Sequence, residues 1–70
     1  MATTNPDISV VVPLYNEQES LPELLAWIRR VMEANSYSFE VIFIDDGSSD
    51  NSWNIVRSLR RNDPNVRGIR

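Results

Sequence analysis

The chain has 70 residues, with seven arginines and no lysine or histidine set against 10 carboxylates, for a net charge of −3 at pH 7. That length allows one domain at most, and a chain so short buries only about 60% of the surface its unfolded form exposes. Without His or Cys it cannot build a Ser–His or Cys–His nucleophile, a zinc site of the usual ligands, or a disulfide, and its acidic balance argues against a general nucleic-acid binder.

Residues 1–7 are polar and contain Asn5-Pro6-Asp7, which reads as a flexible lead-in to a body spanning residues 8–70. Ile8-Ser9-Val10-Val11-Val12 is β-branched and nearly continuous in its apolarity, so it predicts a strand buried on both faces and stopped by Pro13. Ser20 followed three residues later by Glu23 predicts a capping box, with Pro22 tolerated in the first turn. Leu21, Leu24, Leu25, Ile28, Val31 and Met32 then recur at helical spacing until Asn35-Ser36 ends the helix. Residues 39–44 (FEVIFI) read as a second buried strand, and Asp45-Asp46-Gly47-Ser48-Ser49-Asp50 as a turn whose Asp or Ser residues can cap the next helix. Ser52, Ile55, Val56 and Leu59 form a second helical stripe, broken by Asn62-Asp63-Pro64-Asn65, and Val66 to Ile69 begins a third strand. Trp27 and Trp53 fall on the helices and read as packing residues, while Arg57, Arg60 and Arg61 read as a solvated face.

The order β-α-β-α-β predicts an α/β fold with a parallel sheet and right-handed crossovers. With strands in the order 3-2-1, both helices cover one face, and the other, carrying residues from Val10, Val12, Val41 or Phe43, is expected to be bare. A parallel sheet wants both faces covered, so the chain reads as an incomplete half of a doubly wound domain that could associate with a second copy through that face. No apolar run approaches the ~20 residues of a membrane span, and no secretory signal opens the chain; a cytoplasmic location is expected.

Ligands of such sheets bind beyond the carboxyl ends of the strands, where the loops 13–19 and 45–50 fall. In the second loop Gly47 permits a positive φ. Two readings fit it: an Asp-Gly turn with a helix cap, or a carboxylate presented to a base, a ribose or a metal. Asp45 and Asp46 point oppositely on an extended strand, so at most one faces the ligand edge. In the first loop Tyr15 offers a flat face for stacking and Glu17 offers acceptors for hydroxyls; the other reading is a Tyr packed on the sheet edge and a solvated Glu, and for Tyr15 taken alone that reading comes first. With only Gly47 and Gly68 available there is no glycine-rich phosphate cradle.

Taken together, VVVPLYNEQESL (residues 10–21) and VIFIDDGSSD (residues 41–50), in that order with a helix between them, resemble the N-terminus of family 2 inverting glycosyltransferases, most closely the polyprenyl-phosphate sugar transferases of the dolichol-phosphate mannosyltransferase type. The resemblance implies a Rossmann-like nucleotide-diphosphosugar (GT-A) fold, of which this is the nucleotide-binding half. It implies that Pro13, Tyr15 and Glu17 line the pocket for base and ribose, that Asp46 accepts from the base, and that Ile44 adds a backbone contact. The implied donor is a UDP- or GDP-linked sugar, the acceptor a polyisoprenyl phosphate, and the setting the cytoplasmic face of a membrane. The family's Mg²⁺ or Mn²⁺ is held by a later Asp-x-Asp motif that this sequence lacks, so neither metal ligands nor catalytic residues are expected within it. Two other readings stand beside this one: a non-catalytic nucleotide-binding or self-associating half-domain, and a flavodoxin-like half-domain without a ligand.

Overall fold

The computed structural model describes residues 6–70. Five elements alternate along the chain: β1 (Ile8–Leu14), α1 (Leu21–Ala34), β2 (Phe39–Asp45), α2 (Ser52–Asn62) and β3 (Val66–Ile69). The strands form one parallel sheet in the order β1-β2-β3. Ile8 pairs with Phe39 and Leu14 with Asp45, so β1 and β2 end level with each other and their following loops emerge side by side. This is the α/β half-domain architecture expected from the alternation of strand and helix patterns.

The core lies between the sheet and the two helices. It comprises Leu14, Phe39, Val41, Phe43 and Val66 from the strands, Leu21, Leu25 and Ile28 from α1, and Val56 from α2. Both helices present their apolar stripes to it, as their spacing predicts, except that Val31 at the edge of the α1 stripe is exposed. Arg29 of α1 binds the Asp63 carboxylate just after α2 and lies 5.3 Å over the Phe39 ring, tying the helices together. Gly68 is required by a close approach: a Cβ there would meet Val56 Cγ1 at 2.7 Å and Trp53 Cζ3 at 3.3 Å. The last turn of α2 carries Arg60 and Arg61, which complement the negative end of the helix dipole.

Residues 1–5 of the expected lead-in lie outside the described residues. Asp7 is held by a reciprocal pair with Ser38: its N–H donates to the Ser38 hydroxyl at 2.9 Å and its Oδ2 accepts from the Ser38 N–H at 2.9 Å.

Four expectations are corrected. Strand β1 is not buried on both faces: exposure alternates along it and Val11 is 55% exposed, because both helices lie on the other side of the sheet. The bare face is not that of Val10, Val12, Val41 and Phe43. Val41 and Phe43 are fully buried beneath the helices, and Val10 and Val12 pack against the same core. The uncovered face carries the opposite parity: Ser9, Val11 and Pro13, then Glu40, Ile42 and Ile44, then Arg67 and Ile69, paired across the strands. A shift of one residue exchanges the two faces of a strand. The capping box does not form either. Ser20 has φ −89° and ψ −22°, already helical, and its side chain makes no cap bond; a capping side chain needs an extended backbone at that position. Trp27, finally, is 59% exposed and not a core residue, whereas Trp53 packs over Gly68.

Candidate functional site

Two loops meet at the carboxyl end of the sheet, residues 15–20 after β1 and residues 46–51 after β2. Pro13, Leu14, Tyr15, Glu17 and Asp46 line one open cavity there, about 250 Å³ in volume. The Asp46 N–H donates to the Leu14 carbonyl at 3.0 Å, continuing the ladder one residue past the strands. That bond fixes the inner end of the cavity. Tyr15 stands out at its rim, 58% exposed.

The adjacent aspartates separate as an extended backbone requires. Asp45 points toward the helices and is 3% exposed. Its Oδ1 accepts the Ser48 N–H at 2.8 Å, closing the turn, and its Oδ2 is buried without a partner. Asp46 is exposed and belongs to the cavity. Gly47 adopts φ +80° between them and Ser48, with nothing near where a Cβ would stand, so the residue is required for its backbone conformation and not for space.

The loops are sewn together by backbone N–H groups donating to side chains of the opposite loop. From the first loop, Asn16 N–H donates to Ser48 Oγ (2.9 Å), Glu17 N–H to Ser52 Oγ (2.8 Å) and Gln18 N–H to Asp50 Oδ2 (3.5 Å). In return, Ser49 and Asp50 N–H donate to Asn16 Oδ1 (2.9 and 3.2 Å) and Asn51 N–H to Gln18 Oε1 (2.8 Å). The Asp50 Oδ1 also takes the Ser52 N–H at 2.9 Å, so α2 is started by Asp50 and not by its own N-cap, Asn51, whose side chain makes no cap bond.

Ser52, through its side chain first and its N–H second, together with the Gln18 N–H, holds the Asp50 carboxyl below its ordinary value. A group with a lowered folded-state pKa contributes stability that is present above the unfolded value and lost as the pH falls through the folded one. Acidification below 3.8 is therefore expected to shift the Gln18 and Ser52 amide resonances together, in a single titration read by heteronuclear NMR. Movement of both near neutral pH instead would refute this link.

Of the candidate residues read from the sequence, Pro13, Tyr15, Glu17 and Asp46 are brought together around the cavity. Ile44 is not in its lining; it lies on the uncovered sheet face, paired with Pro13 and Ile69. Leu14 joins the lining unforeseen. Asp50 starts α2 as the Asp and Ser residues of its turn were expected to do, but Asn16, Gln18, Ser48, Asp50 and Ser52 were not foreseen as joining the two loops; the concentration of polar side chains in both loops was the signal for it. The cavity carries two carboxylates and no arginine, so it suits neutral N–H and O–H donors better than phosphate. Among the described residues there is no cluster of three or more His, Cys, Asp or Glu that could hold a metal ion. No helix among them is long and apolar enough to cross a membrane.

Residues 9–70 match the family model described as glycosyl transferase family 2. Over 56 residues the chain is 45% identical to an undecaprenyl-phosphate 4-deoxy-4-formamido-L-arabinose transferase of Pseudomonas fluorescens (strain SBW25). The alignment covers 80% of this chain and 16% of that relative. With the parallel β-α-β-α-β unit and a family match running through all five of its elements, the chain belongs to glycosyl transferase family 2.

Proposed function

We propose that this chain forms the nucleoside-binding part of the donor site of a glycosyltransferase that moves a sugar from a nucleotide-diphosphate sugar to a polyprenyl phosphate. The observation that carries this reading is the convergence of Pro13, Tyr15, Glu17 and Asp46 on one cavity at the carboxyl ends of β1 and β2, where parallel sheets take their ligands. The name of the relative supports the class of acceptor. Tyr15 stacks on the base, Asp46 accepts from a ring N–H, Glu17 accepts from the ribose hydroxyls, and Pro13 forms the wall. Ile44 holds Pro13 from the neighbouring strand. The cavity, about 250 Å³, falls short of the roughly 300–1,000 Å³ typical of a whole ligand site, which suits a nucleoside and leaves the diphosphate and sugar outside.

In this reading the Mg²⁺ or Mn²⁺ that stabilises the leaving diphosphate, the base that deprotonates the acceptor for an inverting displacement, and the acceptor's own site belong to parts of the enzyme other than these residues. The working place is the cytoplasmic face of a membrane, where the lipid phosphate is found. Calorimetric titration without metal tests the division. Uridine and UDP, or guanosine and GDP, are expected to bind within a factor of about three of each other, a difference below about 1 kcal/mol. A diphosphate binding an order of magnitude tighter than its nucleoside would contradict it, as would no binding by either.

The exposed Val11 and Ile69 on the uncovered face favour a second reading, a module that associates with a second copy. Sedimentation equilibrium separates the two, since a monomer at high concentration removes the second.

A further inference from the structure

We infer that Asn16 is the positioning residue of the nucleoside site, setting the distance between its two halves; this rests on the donor-site reading above. The two halves come from different loops. Tyr15 and Glu17 follow β1, and Asp46 follows β2. At the inner end they are joined by the Asp46 N–H on the Leu14 carbonyl, 3.0 Å. At the outer end Asn16, flanked by the two β1-side members of the site, spans the gap with both backbone and side chain, and Gln18 does so beyond it through its N–H on Asp50 Oδ2 and its Oε1 under the Asn51 N–H. Asn16 N–H donates to Ser48 Oγ at 2.9 Å, while its Oδ1 accepts from Ser49 N–H (2.9 Å), Asp50 N–H (3.2 Å) and the Ser49 hydroxyl (3.4 Å).

The residue type follows from the geometry. Asn16 has φ +52°, the left-handed region that Asn and Asp enter more readily than other side chains. Its side chain must also be short and carry an oxygen that reaches two consecutive N–H groups at once. Asn and Asp meet both requirements, Gly only the first, and Ala neither. Without the side-chain oxygen, the Ser49 and Asp50 N–H groups lose their partner. The bonds of the Asn16, Glu17 and Gln18 N–H groups to Ser48, Ser52 and Asp50 remain, so the outer end of the pocket loosens at residues 49–50 without coming apart, and Tyr15 and Glu17 are held less closely to Asp46. Asn16 itself is absent from the lining of the cavity, so it acts through its neighbours and not on the ligand.

The test compares the 70-residue chain with Asn16→Gly, Asn16→Ala and Asn16→Asp, titrated with UDP and with GDP, with amide hydrogen exchange followed in parallel. Asn16→Gly keeps the backbone conformation and loses the acceptor, and is expected to bind the preferred nucleotide about tenfold more weakly. Asn16→Ala should bind at least as weakly as the glycine variant. Asn16→Asp is expected to restore binding to within about threefold of the parent, which a role in backbone conformation alone would not require. Parental affinity in Asn16→Gly overturns the inference, as does failure of Asn16→Asp to recover. If neither nucleotide binds the parent chain, the donor-site reading fails. The clasp is then judged by the Ser49 and Asp50 amides: faster exchange in Asn16→Gly than in the parent and in Asn16→Asp supports it, and unchanged protection overturns it.

Discussion

Asp46→Ala is expected to weaken nucleoside binding by about tenfold or more, the worth of a hydrogen bond to a charged group, while the chain stays folded. The Asp46 side chain is exposed, and the one bond the residue contributes to the architecture is made by its backbone N–H, which alanine keeps. Its neighbour supplies the control. Asp45→Ala removes the buried acceptor of the Ser48 N–H, leaves that donor without its partner, and should lower stability before it touches the ligand. Circular dichroism and a uridine titration on the two variants distinguish the roles. Loss of structure in Asp46→Ala, or undiminished binding by a folded Asp46→Ala, would show that the carboxylate at the cavity is not the one that reads the base.

Phe43→Ala is expected to be far more destabilising than any change on the uncovered face of the sheet, at about 3–5 kcal/mol. Phe43 is 0% exposed, at the centre of a core that is covered on one side of the sheet alone. Replacing a buried Phe by Ala costs about 3–5 kcal/mol. A chain of this length, at about 0.05–0.15 kcal/mol per residue, has roughly 4–10 kcal/mol in all. The substitution therefore removes from about a third of the stability to all of it. Val11→Ala, on the same sheet but on the uncovered face, should cost well under 1 kcal/mol, since exposed positions away from special features usually shift stability by about 0.5 kcal/mol at most. Urea unfolding of both variants makes the comparison, and equal losses would mean that the bare face is covered in solution.

The alternation of elements was legible because each carries its own periodicity. The helical stripes of Leu21 to Met32 and Ser52 to Leu59 and the dense β-branched strands leave little choice of order, and parallel crossovers then put both loops at one edge. The facing of the strands was misread for a physical reason: both parities are apolar, Val10 and Val12 against Val11, Val41 and Phe43 against Ile42 and Ile44. Ser9 and Glu40 held the answer. Each is a polar residue inside a strand, and both lie on the uncovered face, where the Ser9 hydroxyl donates to Glu40 and Arg67 approaches it. Asp45 pulled the other way, a carboxylate turned inward because a turn N–H needs it. At the site, the candidate residues that share a cavity were suggested by paired motifs. The clasp was illegible because its bonds join residues more than 30 positions apart, and Asn16 reads in sequence as one more polar loop residue.

In this reading the two loops form one nucleoside pocket. An amide-shift titration of the chain with UDP and with GDP, in the absence of metal, reads this pocket residue by residue. Shifts confined to the residues around Tyr15, Glu17 and Asp46, stronger with one base than with the other and unchanged when Mg²⁺ is added, are the predicted result. A well-dispersed spectrum that neither nucleotide perturbs, or shifts centred elsewhere on the sheet, would contradict it.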